Sequence, residues 1–119
     1  MNMDLQRFHA TYFEESREGL DAMEAGLLAM DGGSTDPEVI NSVFRAAHSI
    51  KGGAATFGFE KMASLTHVLE TLLDEIRGGR RAITSGAVDA MLASVDVLRT
   101  LLAEAEHGTD SSVVLVTPS

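Results

Sequence analysis

The sequence contains no cysteine. That excludes a disulfide scaffold and any thiolate metal site, and it fits a reducing compartment. Proline occurs only at 37 and 118, so the chain between them is free to be helical. No run of some 18 apolar residues exists, and the N-terminus lacks a basic segment followed by an apolar one. A membrane span and a secretory leader are therefore not expected, and a cytoplasmic location is. Positive charge is scarce. Nine Lys and Arg against 18 Asp and Glu leave a formal charge of −9. So acidic a surface repels phosphate backbones and excludes nucleic acid as a partner. No G-x-x-x-x-G-K-S/T loop or other glycine-rich phosphate cradle is present, so the chain is not expected to bind ATP itself.

What is there is helical periodicity. The 119 residues suit one domain, and 45% apolar content makes a single core feasible. From about 4 to 30, Leu5, Phe8, Tyr12, Leu20, Met23, Leu27 and Met30 form one stripe at spacings of three and four, with a gap near Ser16. Gly32-Gly33 end it. A second helix starts at Asp36-Pro37-Glu38, an N-cap acid, a first-turn proline and a first-turn acid. Its stripe is Val39, Val43, Ala47, Ile50, Ala54 and Phe57, and Gly58 stops it. A third runs from Glu60 to Arg77 on Met62, Leu65, Leu69, Leu72 and Ile76, stopped by Gly78-Gly79. A fourth begins at a Thr84 or Ser85 cap, carries Val88, Leu92, Val95, Leu98 and Leu102, and ends at Gly108. Four helices with one apolar stripe each, joined by short connections, predict an all-α, antiparallel up-down-up-down four-helix bundle over 1–108. Residues 109–119 read as a short C-terminal tail or the start of a linker, with Val113 to Val116 its apolar part. Such a tail either frays or packs on the bundle as a small extra element.

The chemistry concentrates in His48-Ser49-Ile50-Lys51-Gly52-Gly53-Ala54-Ala55 and in His67 and Glu70 on the next helix. At about 100° per residue, His48 lies about 140° from the centre of its helix's apolar stripe and points outward, with Lys51 at about 80°. On the same scale Gly52 lies about 180° away and Ala55 about 120°. The histidine is thus followed along its own face by two of the smallest side chains. Two consecutive interior glycines each cost about 1 kcal/mol relative to alanine, so something should compensate. One explanation is tight packing at Gly53. The other is access at Gly52 and Ala55, where a partner's active site approaches the imidazole.

Folding the second helix on the third about a turn near Gly58 and Phe59 pairs positions summing to about 117. His48 then stands level with Glu70, and Lys51 level with His67. A carboxylate accepting one ring N–H leaves the other nitrogen as the lone-pair donor and stabilises the cationic ring formed on attack. Lys51 is placed to neutralise phosphoryl oxygens. His67 either holds Glu70 or contributes a second donor. A di-iron centre is not expected. It needs two Glu-x-x-His motifs, whereas His67-Val68-Leu69-Glu70 is the reverse order, occurs once and lies beside a lysine. His9 and His107 read as solvated residues.

These residues resemble a known family. His48 through Phe59, with Leu65 to Asp74, Phe13-Glu14-Glu15-Ser16 and Met23-Glu24, is similar to histidine-containing phosphotransfer (HPt) domains of the kind found at the N-terminus of CheA-type chemotaxis histidine kinases. The resemblance covers about residues 4 to 106. It implies that His48 is the phosphoacceptor of a two-component system. ATP would be bound by a separate kinase domain, with no cofactor in this chain, and the phosphoryl group would pass to an aspartate of CheY- or CheB-type response regulators. It also implies a His-Lys-His-Glu network, matched by His48, Lys51, His67 and Glu70. Domains of this type often carry a fifth helix, which Thr109 to Ser119 does not resemble. The chain then reads as part of a longer kinase or as a free-standing module. The competing expectation is a helical docking module without chemistry, separated from the first by His48→Gln.

Overall fold

The computed structural model describes residues 2–109, and the expected C-terminal tail or linker beyond Thr109 lies outside the described residues. The described chain is all-α: α1 Asn2–Asp31, α2 Pro37–Phe57, α3 Glu60–Arg77 and α4 Ser85–Thr109. Local chemistry sets the boundaries. The Asp36 side chain accepts from the Glu38 N–H, and Pro37 occupies the first position of α2. Gly58 ends α2 in the left-handed region at φ 78°, a conformation glycine adopts without the Cβ penalty. At the start of α4, Thr84 is the cap, its hydroxyl accepting from the Ala87 N–H at 3.1 Å. Gly108 does not stop α4, which runs one residue further to Thr109. Beside a glycine at a helix end, hydrogen bonding alone fixes the last residue, and the difference is within ordinary fraying.

Cross-helix contacts show that neighbours run antiparallel. Glu24 meets Arg99 and Arg17 meets Glu106 between α1 and α4. Gly26 meets Val43, and Tyr12 meets Ile50 and Gly53, between α1 and α2. Phe44 meets Arg77, and His48 meets Glu70, between α2 and α3. The up-down-up-down order of the helices follows. The core is drawn from all four, with Leu20, Met23 and Leu27 on α1, Val43 and Ile50 on α2, Leu69 and Leu73 on α3, and Met91 and Leu98 on α4. No helix of the described residues is long and apolar enough to cross a membrane.

The stripes need three corrections. Leu5 and Phe8 are 51% and 63% exposed rather than core. Arg17 stands level with Glu106, so the end of α4 lies level with about position 14 of α1, and the first turns of α1 project past it. The gap at Ser16 is not a break either. Ser16 is buried and lies beside the phenol of Tyr12, while Phe13 joins the core. Burial raises the Tyr12 phenol pKa, and its hydrogen bond with Ser16 opposes part of that rise. Elsewhere Ile40, Leu73 and Met91 are buried, while Val39, Phe57, Leu65, Leu72 and Leu92 are only partly so. Each helix touches two neighbours, which makes its buried arc wider than a single stripe.

Candidate functional site

The site stands on the outer face of the α2–α3 hairpin. His48 and Lys51 lie one turn apart on α2, and both reach Glu70 on α3. Glu70 Oε2 takes His48 Nδ1, and Oε1 takes Lys51 Nζ at 2.5 Å. Exposure is graded across the three. The His48 side chain is 64% exposed and Lys51 28%, whereas Glu70 is 12% exposed. Burial pushes the Glu70 carboxyl pKa up. The hydrogen bonds and charges of Lys51 and His48 outweigh it, and the net shift is downward. Glu70 is therefore an ionised, acceptor-only group, which requires Nδ1 to carry the proton it shares. In the neutral imidazole that tautomer puts the lone pair on Nε2.

The two glycines divide the roles expected of them. A Cβ at Gly52 would meet nothing within 4 Å, so the surface after His48 is open, and Ala55 is exposed beside it. A Cβ at Gly53 would lie 2.1 Å from Cε1 of Tyr12. The ring occupies the space a side chain would need, and its hydroxyl donates to the Ile50 carbonyl at 2.8 Å. Gly53 thus lets α1 seat against the turn of α2 that carries Lys51. The glycine pair is open on one side and a packing contact on the other.

The structure brings His48, Lys51 and Glu70 together and leaves the His67 ring outside their hydrogen bonds. His67 is exposed, its ring makes no hydrogen bond among the described residues, and its backbone carbonyl accepts from the Thr71 hydroxyl at 3.0 Å. Thr66 and Leu69 turn inward on either side of it. No group of three or more metal-ligating side chains occurs among the described residues.

Three features escaped the sequence reading. Phe44, one turn before His48, stacks on the imidazole with ring planes 10° apart and centroids 6.2 Å apart. The Arg77 guanidinium covers Phe44 at 3.8 Å from its centroid. Finally, an open cleft of about 760 Å³ beside His48 is lined by Glu70, Asp74 and Glu75 of α3 and by Arg80 and Arg81 of the following turn. The available signals were the i, i+4 spacing of Phe44 and His48 and the arginine pair directly after Gly78-Gly79.

The arrangement combines an exposed imidazole, a partly buried carboxylate on its Nδ1, and cations at its rim. The Hpt domain family model matches residues 7–108. Chemotaxis protein CheA of Rhizobium meliloti is 43% identical over 106 residues, covering 89% of this chain and 14% of the relative. CheA of Salmonella typhimurium is 43% identical over 99 residues, covering 83% of this chain and 15% of the relative. The chain thus spans about one seventh of the length of these curated relatives. Among solved structures, the phosphorylated P1 domain of CheA3 in complex with CheY6 from R. sphaeroides superposes with a TM-score of 0.82 at 30% identity, covering 87% of this chain and 80% of that one. The CheA phosphotransferase domain from Thermotoga maritima gives 0.73 at 37%, covering 81% and 92%.

Proposed function

Since the chain belongs to the Hpt domain family, a family of phosphotransfer modules, we propose that His48 is its phosphoacceptor in a chemotaxis-type two-component system and that Nε2 is the reacting atom. The observation that carries this reading is the His48–Glu70 contact, in which an ionised carboxylate holds Nδ1 and leaves Nε2 free.

The step is nucleophilic substitution at phosphorus. The Nε2 lone pair attacks the terminal phosphorus of ATP held by a separate kinase domain. The Nε2–P bond forms as the bond from that phosphorus to the bridging oxygen breaks, and ADP leaves. The ring keeps its Nδ1 proton and becomes cationic, which the adjacent Glu70 carboxylate offsets. Lys51 is within reach to balance the incoming phosphoryl oxygens. In the second half-reaction an aspartate oxygen of a response regulator of the CheY or CheB kind attacks the phosphorus. The N–P bond breaks and its electron pair returns to Nε2. The structural relative bound to CheY6 is phosphorylated, which supports a regulator as the recipient. Gly52 and Ala55 leave room for both partners to approach. The need for ATP favours the cytoplasm as the site of this exchange. His67 is assigned to the partner-facing rim rather than to the Glu70 network.

The test is incubation with ATP and the ATP-binding domain of a chemotaxis-type kinase, read by intact mass. A gain of one phosphoryl group, acid-labile, alkali-stable and absent in His48→Gln, is expected. No gain with a kinase domain that charges an established Hpt domain would leave the bundle as a docking module, with its glycines explained by packing alone.

A further inference from the structure

The chain is strongly acidic, yet four of its nine lysines and arginines gather around His48. Lys51 lies on α2, Arg77 covers Phe44, and Arg80 and Arg81 line the cleft. The backbone after α3 is built to bring the last two there. Gly79 adopts φ 76°, in the left-handed region. Its N–H donates to the Ile76 carbonyl, and the N–H groups of Arg80 and Arg81 both donate to that of Glu75. The chain folds back over the end of α3, so both guanidinia lie along its last two turns. Arg80 Nη2 pairs with Asp74 at 3.1 Å and Arg81 Nε with Glu75 at 2.7 Å. Glu70, one turn earlier, holds His48.

These two pairs are poor uses of arginine if stability is the purpose. The side chains are 64% and 46% exposed, and exposed pairs contribute about 0–1 kcal/mol. Each guanidinium has five donors, and the pairs engage one on each. A phosphoryl group adds about −1.5 to −2 charge and three acceptor oxygens, and planar guanidinium groups bind such oxygens in bidentate fashion. The charged side chains lining the cleft beside His48 are Glu70, Asp74 and Glu75 from α3 and Arg80 and Arg81 from the turn. Arg80 and Arg81 are its cations, with Lys51 on Glu70 and Arg77 on Phe44 close by.

We propose that Arg80 and Arg81 form a phosphoryl-binding rim, which exchanges Asp74 and Glu75 for the phosphate oxygens once the group is attached to His48. The proposal rests on His48 as acceptor and adds a ligand site for the group it carries. The same oxygens also belong to the donor nucleotide before transfer, so the test separates the two sources. The full chain is charged with phosphoramidate, a small donor that needs no kinase, and the phosphohistidine is titrated by ³¹P NMR. An arginine clamp favours the more highly charged phosphoryl form. Arg80→Gln/Arg81→Gln is therefore expected to raise the apparent phosphoryl pKa by about half a unit. Arg80→Lys/Arg81→Lys should raise it less. Arg17→Gln/Arg99→Gln removes the same two charges from the α1–α4 side and should leave the titration in place. Equal titration of the unmodified chain and the glutamine variant overturns the rim, even where the kinase-driven rate falls, because the arginines would then read the donor nucleotide. Absence of any phosphohistidine signal in the unmodified chain overturns both readings, since His48 itself would not be the acceptor.

Discussion

The α1–α4 and α2–α3 faces of the bundle use ion pairs to opposite ends. On the first, Arg99 bridges Asp21 at 2.9 Å and Glu24 at 2.6 Å, and Arg17 meets Glu106. One guanidinium serves two carboxylates. Burial lowers the Arg99 pKa, but the hydrogen bonds of Glu24 and Asp21 outweigh that and raise it. The arginine is locked in its charged form and joins two helices. On the second face the ratio is inverted, with one carboxylate, Glu70, serving Lys51 and His48. Because imidazole has two nitrogens, binding one specifies the state of the other. The same kind of contact is a brace where the cation is a guanidinium and a control on reactivity where it is a histidine.

That contrast is sharpest in a double dissociation. Glu70→Ala should slow phosphorylation of His48 by about ten- to a hundredfold, the lower range for a lost proton-positioning group. The helical content should be unchanged. Arg99→Ala should leave the phosphorylation rate alone and lower stability by about 0.5–1 kcal/mol, as a partly exposed pair does. Rates from a kinase assay and midpoints from urea unfolding decide between them. A slow Arg99→Ala or an unaffected Glu70→Ala would erase the distinction between the faces.

The glycine pair carries the comparison inside a single helix. Gly53→Ala forces a methyl group into the Tyr12 ring and should destabilise the fold by about 1–3 kcal/mol, as overpacking does. Gly52→Ala meets open space and should stabilise by about 0.5–1 kcal/mol through helix propensity alone. Thermal melts of the two variants should therefore move in opposite directions. The second variant is also informative in the kinase assay, where a rate loss without a stability loss marks Gly52 as partner access.

Much of this was legible in the sequence because the signals are local. Asp36-Pro37, Gly58 and the three-four spacing of apolar residues act within a turn or two, and they fix four helices. His48 and Glu70 were brought together by one further step, the register of a hairpin with a short turn. What escaped depends on contacts that no local period encodes. Leu5 and Phe8 keep perfect helical spacing, yet they are exposed, because spacing does not encode whether a neighbour packs at that level. The His67 ring shares a face with Glu70 at i, i+3, but Glu70 already has its two partners on α2. Arg80 and Arg81 read as part of a loop until the left-handed Gly79 turns them back along α3.

The smallest expected effect is on acid stability, and its sign follows from Glu70. Its pKa in the folded chain lies below the ordinary value of 4.5. The unfolded chain therefore binds a proton here first as pH falls. The stability this carboxylate contributes is fully present above that ordinary value and is lost as pH drops through the lower, folded one. Asp74 is shifted the same way, chiefly by its hydrogen bond from Arg77, but being exposed it adds little. Subtracting the unfolding free energy of Glu70→Gln from that of the unmodified chain isolates the Glu70 share. The difference should be constant above about pH 5 and shrink below it. A difference that instead grows on acidification would mean that Glu70 is held protonated in the folded chain. In that state it is no acceptor for Nδ1, and Nε2 loses its assignment as the free nitrogen.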